Sequence, residues 1–149
     1  EELKAYWTRL SSQEKTNSKI ALTAARYFLA MGGAKEACEI LEDSLAKHWD
    51  SDLVELYGQC VDKDVVKQIE RAENWLKEHP RDPHLLLALG RLCARQELWG
   101  KAQSYVEASL SLETTRAAHL ALAQLLEKMN KTDEACKHYR QSLALESAG

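Results

Sequence analysis

Two arginines one helical turn apart, Arg91 and Arg95, are the residues of this chain best suited to bind a charged partner. They end a leucine-rich segment that begins at Asp82, and their i, i+4 spacing places both side chains on one face of a helix. Guanidinium groups bind carboxylates through paired hydrogen bonds. The pattern therefore favours recognition of an acidic peptide, and an ordinary solvated helix face is the alternative.

Histidine and cysteine are the usual metal ligands, but their spacing here argues against a metal or haem site. Cys136 and His138 lie two residues apart, so a helix directs them to different faces. His48 and His79 end predicted helices, where an imidazole favours the C-terminal dipole. The four cysteines contain no CxxC pair, and each falls in a helical apolar pattern. We therefore predict four buried thiols outside disulfides, no metal and no cofactor.

Nothing in the sequence resembles a catalytic site. The chain has no G-x-S-x-G, Walker A, H-E-x-x-H or dinucleotide-binding glycine pattern, so we predict that it is not an enzyme. Its 149 residues are 45% hydrophobic and 29% charged, with a net charge of −3, which argues against general nucleic-acid binding. No apolar run reaches the roughly 18–20 residues that a membrane span needs. Because the chain starts at Glu1, we expect an excised part of a longer protein.

The elements that position these residues are predicted to be helices throughout. Only two prolines and six glycines occur. Asp82 is a suitable N-cap, Pro83 occupies the first helical position, and Gly90 leaves a gap that allows a close approach of the next helix. Ser11–Glu14 fits a capping box, with Asn17 or Ser18 as a second possible start. The other candidate N-caps are Asp50 or Ser51, and Thr132.

Several residues recur at fixed intervals. Five pairs share an offset of 98 positions: Ala37/Ala135, Cys38/Cys136, Ser44/Ser142, Leu45/Leu143 and Ala46/Ala144. Ala102 falls between the first pair, 65 positions after Ala37 and 33 positions before Ala135. The intervals are close to multiples of a period of about 34 residues. Together with the spacing of Leu89-Gly90, Ala102, Tyr105 and Leu110, they resemble the tetratricopeptide repeat.

This resemblance predicts an all-α fold, a tetratricopeptide-like α-α superhelix (solenoid) of about 3.5 helix-hairpin repeats. A single helical bundle is the alternative. We predict one domain, 1–149, in which the half repeat at 1–16 and the complete repeats at 17–50, 82–114 and 115–149 make up the 3.5, with a further repeat at 51–81. The repeat at 51–81 is degenerate, with a shortened first helix.

In such a superhelix, the first helix of each repeat lines a concave groove. Counting along the helices predicts these partner-binding positions: Lys19, Arg26, Gln59, His84, Arg91, Arg95, Gln124 and Lys128. Their cations would form a basic inner stripe that suits an acidic peptide. Leu29, Ala94 and Glu127 are also predicted to face the groove. Leu22, Leu87 and Leu120 occupy the positions at which a chaperone-tail carboxylate clamp requires lysine, which excludes that class.

Longer segments resemble one narrower family. WLKEHPRDPHLLLALGRLCARQELWGKAQSYVEASL and HLALAQLLEKMNKTDEACKHYRQSL are similar to the C-terminal region of the bacterial HemY family, and the resemblance covers about Leu3 to Leu145. It implies a protein anchored in the bacterial inner membrane through N-terminal spans absent here, with this domain on the cytoplasmic side. It also implies a scaffold that binds haem-biosynthesis enzymes. The alternative is a tetrapyrrole-binding or carrier domain in which His84, Arg91 and Arg95 contact propionates.

Overall fold

The computed structural model describes residues 2–61 and 63–148, which form helices and no strand. The helices are α1 (Glu2–Arg9), α2 (Ser12–Lys15), α3 (Ser18–Ala30), α4 (Ala34–Lys47), α5 (Ser51–Tyr57), α6 (Val65–Glu78), α7 (Pro83–Arg95), α8 (Trp99–Leu112), α9 (Arg116–Lys128) and α10 (Thr132–Ala148). The chain divides into two compact units between residues 64 and 65. This boundary falls inside the predicted repeat 51–81, between α5 and α6.

The first unit is built on the hairpin of α3 and α4, and α5 packs against both helices. Its core includes the buried side chains of Leu41, Leu53 and Tyr57. Ser11 forms the predicted capping box with Glu14 and starts α2. Asn17 separately caps α3, so both candidate starts are used, each for its own helix.

In the second unit, α7 pairs with α8 and α9 pairs with α10, while α6 packs against α7 and α8 packs against α9. Asp82 caps α7, with Pro83 at its first position, as predicted. The predicted close approach at Gly90 is also present. A Cβ atom built there would lie 2.4 Å from Val106 Cγ2, which is closer than real side chains come.

Buried serines in the second helix of a helix pair donate hydrogen bonds to the backbone at the start of the first helix. Ser44 Oγ donates a hydrogen bond to the carbonyl oxygen of Thr16 at 2.9 Å, just before α3 begins. Ser109 Oγ donates to the carbonyl oxygen of Pro83 at 2.7 Å, in the first turn of α7. Because a buried hydroxyl requires a partner, these bonds explain why a small polar residue is accommodated at this packing position.

In three hairpins, the turn between the two helices has the same backbone geometry. These turns recur at the intervals found in the sequence. Gly32, Glu97 and Asn130 all have positive φ, and their spacing repeats the offsets of 65 and 33 positions found in the sequence. In each turn the following amide donates to a carbonyl five residues earlier. These bonds are Gly33 to Phe28, Leu98 to Cys93 and Lys131 to Leu126. This is the Schellman arrangement that ends helices, and here it also starts the next helix.

Two predictions about α10 were wrong. Thr132 is the first residue of α10 rather than its N-cap, because Ala135 N–H donates to the carbonyl of Lys131. The tight turn places the N-cap directly after the residue of positive φ. Cys136 is exposed, while Cys38, Cys60 and Cys93 are buried as predicted. Cys136 lies on a face of α10 that points away from the buried seam with α9.

Candidate interaction surface on the repeat helices

Four predicted site residues occupy equivalent positions on two neighbouring helices. Arg91 and Arg95 lie in the second half of α7, and Gln124 and Lys128 lie one repeat later on α9, at an offset of 33 positions. Helices α7 and α9 pack against each other. Arg91 is half-buried and the other three side chains are exposed. We call these four residues the donor patch, because each offers N–H donors.

The chemistry of the donor patch is that of an anion receptor. Three of its side chains are cationic, and the amide of Gln124 adds donors of its own. Both arginines present planar forks that match a carboxylate. A second role competes with binding, because Arg95 and Lys128 lie in the last turns of α7 and α9. A cation at that position also stabilises the helix dipole.

The remaining predicted residues lie outside the donor patch. Lys19 and Arg26 are exposed on α3, in the first unit. Gln59 is exposed in the turn after α5, because that helix ends at Tyr57 and the helical register used to place Gln59 does not extend so far. Leu87, predicted to face the groove, is buried.

His84 is engaged at the opposite end of α7 from the arginines. Its Nε2 lies 3.6 Å from Glu113 Oε2, at the end of α8. This contact lies between the start of α7 and the end of its partner helix, and it is an ion pair only when the imidazole is protonated. It also gives the imidazole a structural role that competes with the predicted contact to a tetrapyrrole propionate.

A histidine pair that the sequence did not reveal lies between α9 and α10. The Nδ1 atoms of His119 and His138 are 3.0 Å apart, so one ring donates a hydrogen bond to the other. His119 is buried, and this burial lowers its pKa, with a further contribution from the charge of His138. The repeat period is the signal that could have found the pair, because the residues one repeat earlier, Leu86 and Tyr105, lie on α7 and α8, which pack against each other.

A polar cluster joins α6 to α8 in the second unit. Glu73 accepts hydrogen bonds from Tyr105 Oη at 2.5 Å and from Lys101 Nζ at 2.8 Å. The Lys101 bond is the main reason that the pKa of the Glu73 carboxyl is lowered. Nearby, burial raises the pKa of the Cys93 thiol to about 11. That thiol is therefore a packing group rather than a nucleophile.

The first unit contains a cavity of about 540 Å³ whose walls include residues of α1, α2 and α4. Its apolar walls are Trp7, Phe28 and Ile40. Its charged groups are Lys4, Lys15, Lys47, Glu36, Glu39 and Asp43. The three positive and three negative charges cancel. The Nζ of Lys4 lies 3.9 Å from Oε1 of Glu36. The lining of the cavity thus has no net charge.

Residues 2–61 and 63–148 contain no group of three or more His, Cys, Asp and Glu side chains that could hold a metal ion. Within the same ranges, no helix is long and apolar enough to cross a membrane.

Comparison with known proteins bears on the nature of the repeats. Residues 118–148, which cover α10 and most of α9, match the tetratricopeptide-repeat family. The chain therefore has a tetratricopeptide-like fold, and its last helix pair matches the family model. The period read from the sequence, the helix pairs and the recurring turns all agree with this assignment.

Solved structures confirm the predicted fold class. A thermophilic tetratricopeptide protein, TTC0263 from Thermus thermophilus, is similar at a TM-score of 0.71, with 22% identity over 87% of this chain and 74% of that chain. MamA is similar at a TM-score of 0.62, with 16% identity over 89% of this chain and 80% of that chain. A MamA fragment (41-end) from Desulfovibrio magneticus RS-1 has a TM-score of 0.64 and 16% identity, over 91% of this chain and 78% of that chain. Identities this low establish the fold alone.

No curated protein matches the chain significantly. The comparisons thus support the tetratricopeptide-like repeats and not the narrower resemblance to the HemY family, which stays a prediction.

Proposed function

We propose that this chain is a non-enzymatic protein-interaction domain that binds an acidic segment of a partner protein across α7 and α9. The observation that carries the proposal is the donor patch, in which Arg91, Arg95, Gln124 and Lys128 occupy equivalent positions of two packed helices. An acidic peptide running across the helices would meet donors from both. The tetratricopeptide-like fold supports the general class, a scaffold for protein partners.

A direct test uses a fluorescein-labelled peptide of six glutamates, with a six-lysine peptide for comparison. Binding to the whole chain is measured by fluorescence anisotropy. We expect the glutamate peptide to bind more tightly, with an affinity that falls as salt rises. The double variant Arg91→Glu/Arg95→Glu should lower that affinity at least about tenfold.

A matched control separates the donor patch from general charge. Lys67 and Arg71 are exposed on α6 with the same i, i+4 spacing. The variant Lys67→Glu/Arg71→Glu makes the same change in net charge and should leave the affinity within about twofold. Equal losses in the two double variants would contradict the proposal. So would a loss of affinity accompanied by a loss of helicity in circular dichroism, because the arginines would then serve only to stabilise their helix.

Only the resemblance to the HemY family supports a proposal about where the protein acts in the cell. We propose that the full-length protein is anchored in a bacterial inner membrane and that this domain gathers haem-biosynthesis enzymes on the cytoplasmic side. Crosslinking followed by mass spectrometry on native membranes tests this proposal. Recovery of such enzymes crosslinked to α7 or α9 is the expected result, and crosslinks only to unrelated proteins would refute it.

Haemin titration tests the tetrapyrrole alternative with the same proteins. A Soret shift that is present in the unmodified chain and lost in the Arg91→Glu/Arg95→Glu variant would favour a carrier over a scaffold. Equal and weak binding by both would exclude the carrier.

A further inference from the structure

One face of α10 carries exposed residues in a regular row. Cys136, Arg140 and Leu143 follow one another at i, i+4 and i+7, which places them on a single stripe of the helix. All three are exposed, and 59% of Leu143 is accessible. We call this row the outer stripe of α10. It is separate from the donor patch, which lies on α7 and α9.

The same chain shows an equivalent stripe in a covered state. The residues 98 positions earlier are Cys38, Glu42 and Leu45 on α4. Cys38 is only 2% exposed and Leu45 only 5% exposed. Helix α5 packs against α4, and Tyr57 of α5 donates a hydrogen bond from its Oη to Glu42 Oε2 at 2.6 Å. The centre of the α4 stripe thus faces α5, and its two ends are buried.

The covering helix is short and amphipathic. Its Leu53, Val54 and Tyr57 are completely buried, while Ser51 and Asp52 are exposed. The repeat thus provides a template for what fits an outer stripe: a helix with two adjacent apolar residues, followed three positions later by a polar group that pairs with the centre of the stripe.

The centre of the stripe is reversed in charge on α10. Glu42 accepts a hydrogen bond, whereas Arg140, at the equivalent position, can only donate. A helix that matches α10 must therefore carry an acceptor where α5 carries the Tyr57 hydroxyl. A carboxylate is the best acceptor for a guanidinium, because it satisfies both its charge and its paired donors.

We propose that the outer stripe of α10 docks an amphipathic helix of a partner protein, seated as α5 is seated on α4. The partner helix presents two adjacent apolar residues toward Cys136 and Leu143 and a glutamate or aspartate toward Arg140. The surface is thus a second interaction site, independent of the donor patch and selective for an acidic amphipathic helix rather than an extended acidic segment.

The probe is a lactam-stapled peptide copying residues 49–61 with Tyr57→Glu and Cys60→Ser, alongside its partner with Tyr57→Lys and Cys60→Ser. Chemical-shift titration of the isotope-labelled whole chain detects weak binding and maps it. We expect the glutamate peptide to shift the amide signals around Cys136, Arg140 and Leu143, with an affinity about threefold higher than that of the lysine peptide, as befits one exposed ion pair.

Two variants make the test specific. Arg140→Glu should invert the preference, so that the lysine peptide binds more tightly. Leu143→Asp should weaken both peptides at least tenfold, because it places a charge against the apolar face of the docked helix. Leu98→Asp is the matched control, because Leu98 is also exposed but lies in the turn between α7 and α8; it should leave both affinities unchanged.

Three outcomes would overturn the proposal. The first is an absence of shifts on α10 at millimolar peptide, and the second is an unchanged preference in Arg140→Glu. The third is a dimer in sedimentation velocity that Leu143→Asp abolishes, which would make a second copy of this chain the occupant. None of these results depends on the hexaglutamate experiment, so the two sites fail or succeed separately.

Discussion

Glu97 occupies a backbone conformation that its side chain disfavours. Its φ is 58°, in the left-handed region, and the equivalent turn residues are Gly32 and Asn130. Glycine has no Cβ and asparagine tolerates this region, whereas a glutamate is strained there. The turn is nevertheless formed, because the amide of Leu98 donates to the carbonyl of Cys93 as in the other hairpins.

Glu97→Gly should therefore stabilise the chain. We expect a gain of about 1 kcal/mol in the free energy of unfolding, through relief of the left-handed strain. The midpoint of urea denaturation measures it. Gly32→Ala is the reciprocal change: open space surrounds a Cβ at that position, so only backbone strain should lower its midpoint. A lower midpoint for Glu97→Gly would show that the glutamate side chain contributes more than its strain costs.

The histidine pair makes stability depend on pH. Burial lowers the pKa of His119, so the unfolded chain binds a proton more readily than the folded chain does. The contribution of His119 to stability is therefore fully present above its pKa in the unfolded chain, about 6.5. It is lost as the pH falls through that value toward the lower pKa of the folded chain. We expect the melting temperature to decline between pH 7.5 and 5.5.

His119→Leu should reduce that decline, since leucine occupies the equivalent position 86 and cannot be protonated. Thermal melts monitored by circular dichroism at several pH values provide the measurement. His48→Gln removes an exposed histidine and is the control, which should retain the full pH dependence. Identical pH profiles for the unmodified chain and His119→Leu would contradict this account.

At the scale of elements, α7 and α8 approach each other closely at Gly90. A methyl group there would meet Val106 Cγ2 at 2.4 Å and the carbonyl oxygen of Ala102 at 3.3 Å. The last repeat holds Ala123 at the equivalent position, so a methyl group is accommodated in that hairpin. Gly90 thus sets how closely these two helices pack.

Gly90→Ala should destabilise the chain by about 1–3 kcal/mol, the usual cost of overpacking. The gain in helix propensity from alanine offsets less than about 1 kcal/mol of it. Chemical denaturation measures the difference. Adding Val106→Ala to Gly90→Ala tests the cause, because removing the clashing methyl group should make the two losses less than additive. Strictly additive losses would place the origin of the effect elsewhere.

Most elements could be predicted from the sequence because their signals are local. Asp82, Pro83, Asn17 and the capping box of Ser11 each act within a few residues, and all start the helices that they indicate. The prediction that Thr132 caps α10 was wrong, because backbone hydrogen bonds, rather than a side-chain cap, form the turn before α10. Local residue preferences cannot show which mechanism will operate.

At the scale of the whole molecule, the repeat interval predicted the fold class, since a period is a property of the entire sequence. Side-chain exposure followed less reliably. Cys38 and Cys136 have the same sequence context, yet only one is buried, because exposure depends on whether another helix packs over that face. The chain divides into two compact units between residues 64 and 65. That the whole of 1–149 forms one domain stays a prediction.

The different environments of the four cysteines have a practical chemical consequence. Cys38, Cys60 and Cys93 are shielded from solvent, so only Cys136 presents its sulfur to reagents. The native chain should accept a single equivalent of maleimide, and a spectroscopic label placed this way would report from α10 without any engineering. In air, without reductant, the same sulfur should slowly join two chains through a disulfide that appears as a doubled mass on a non-reducing gel.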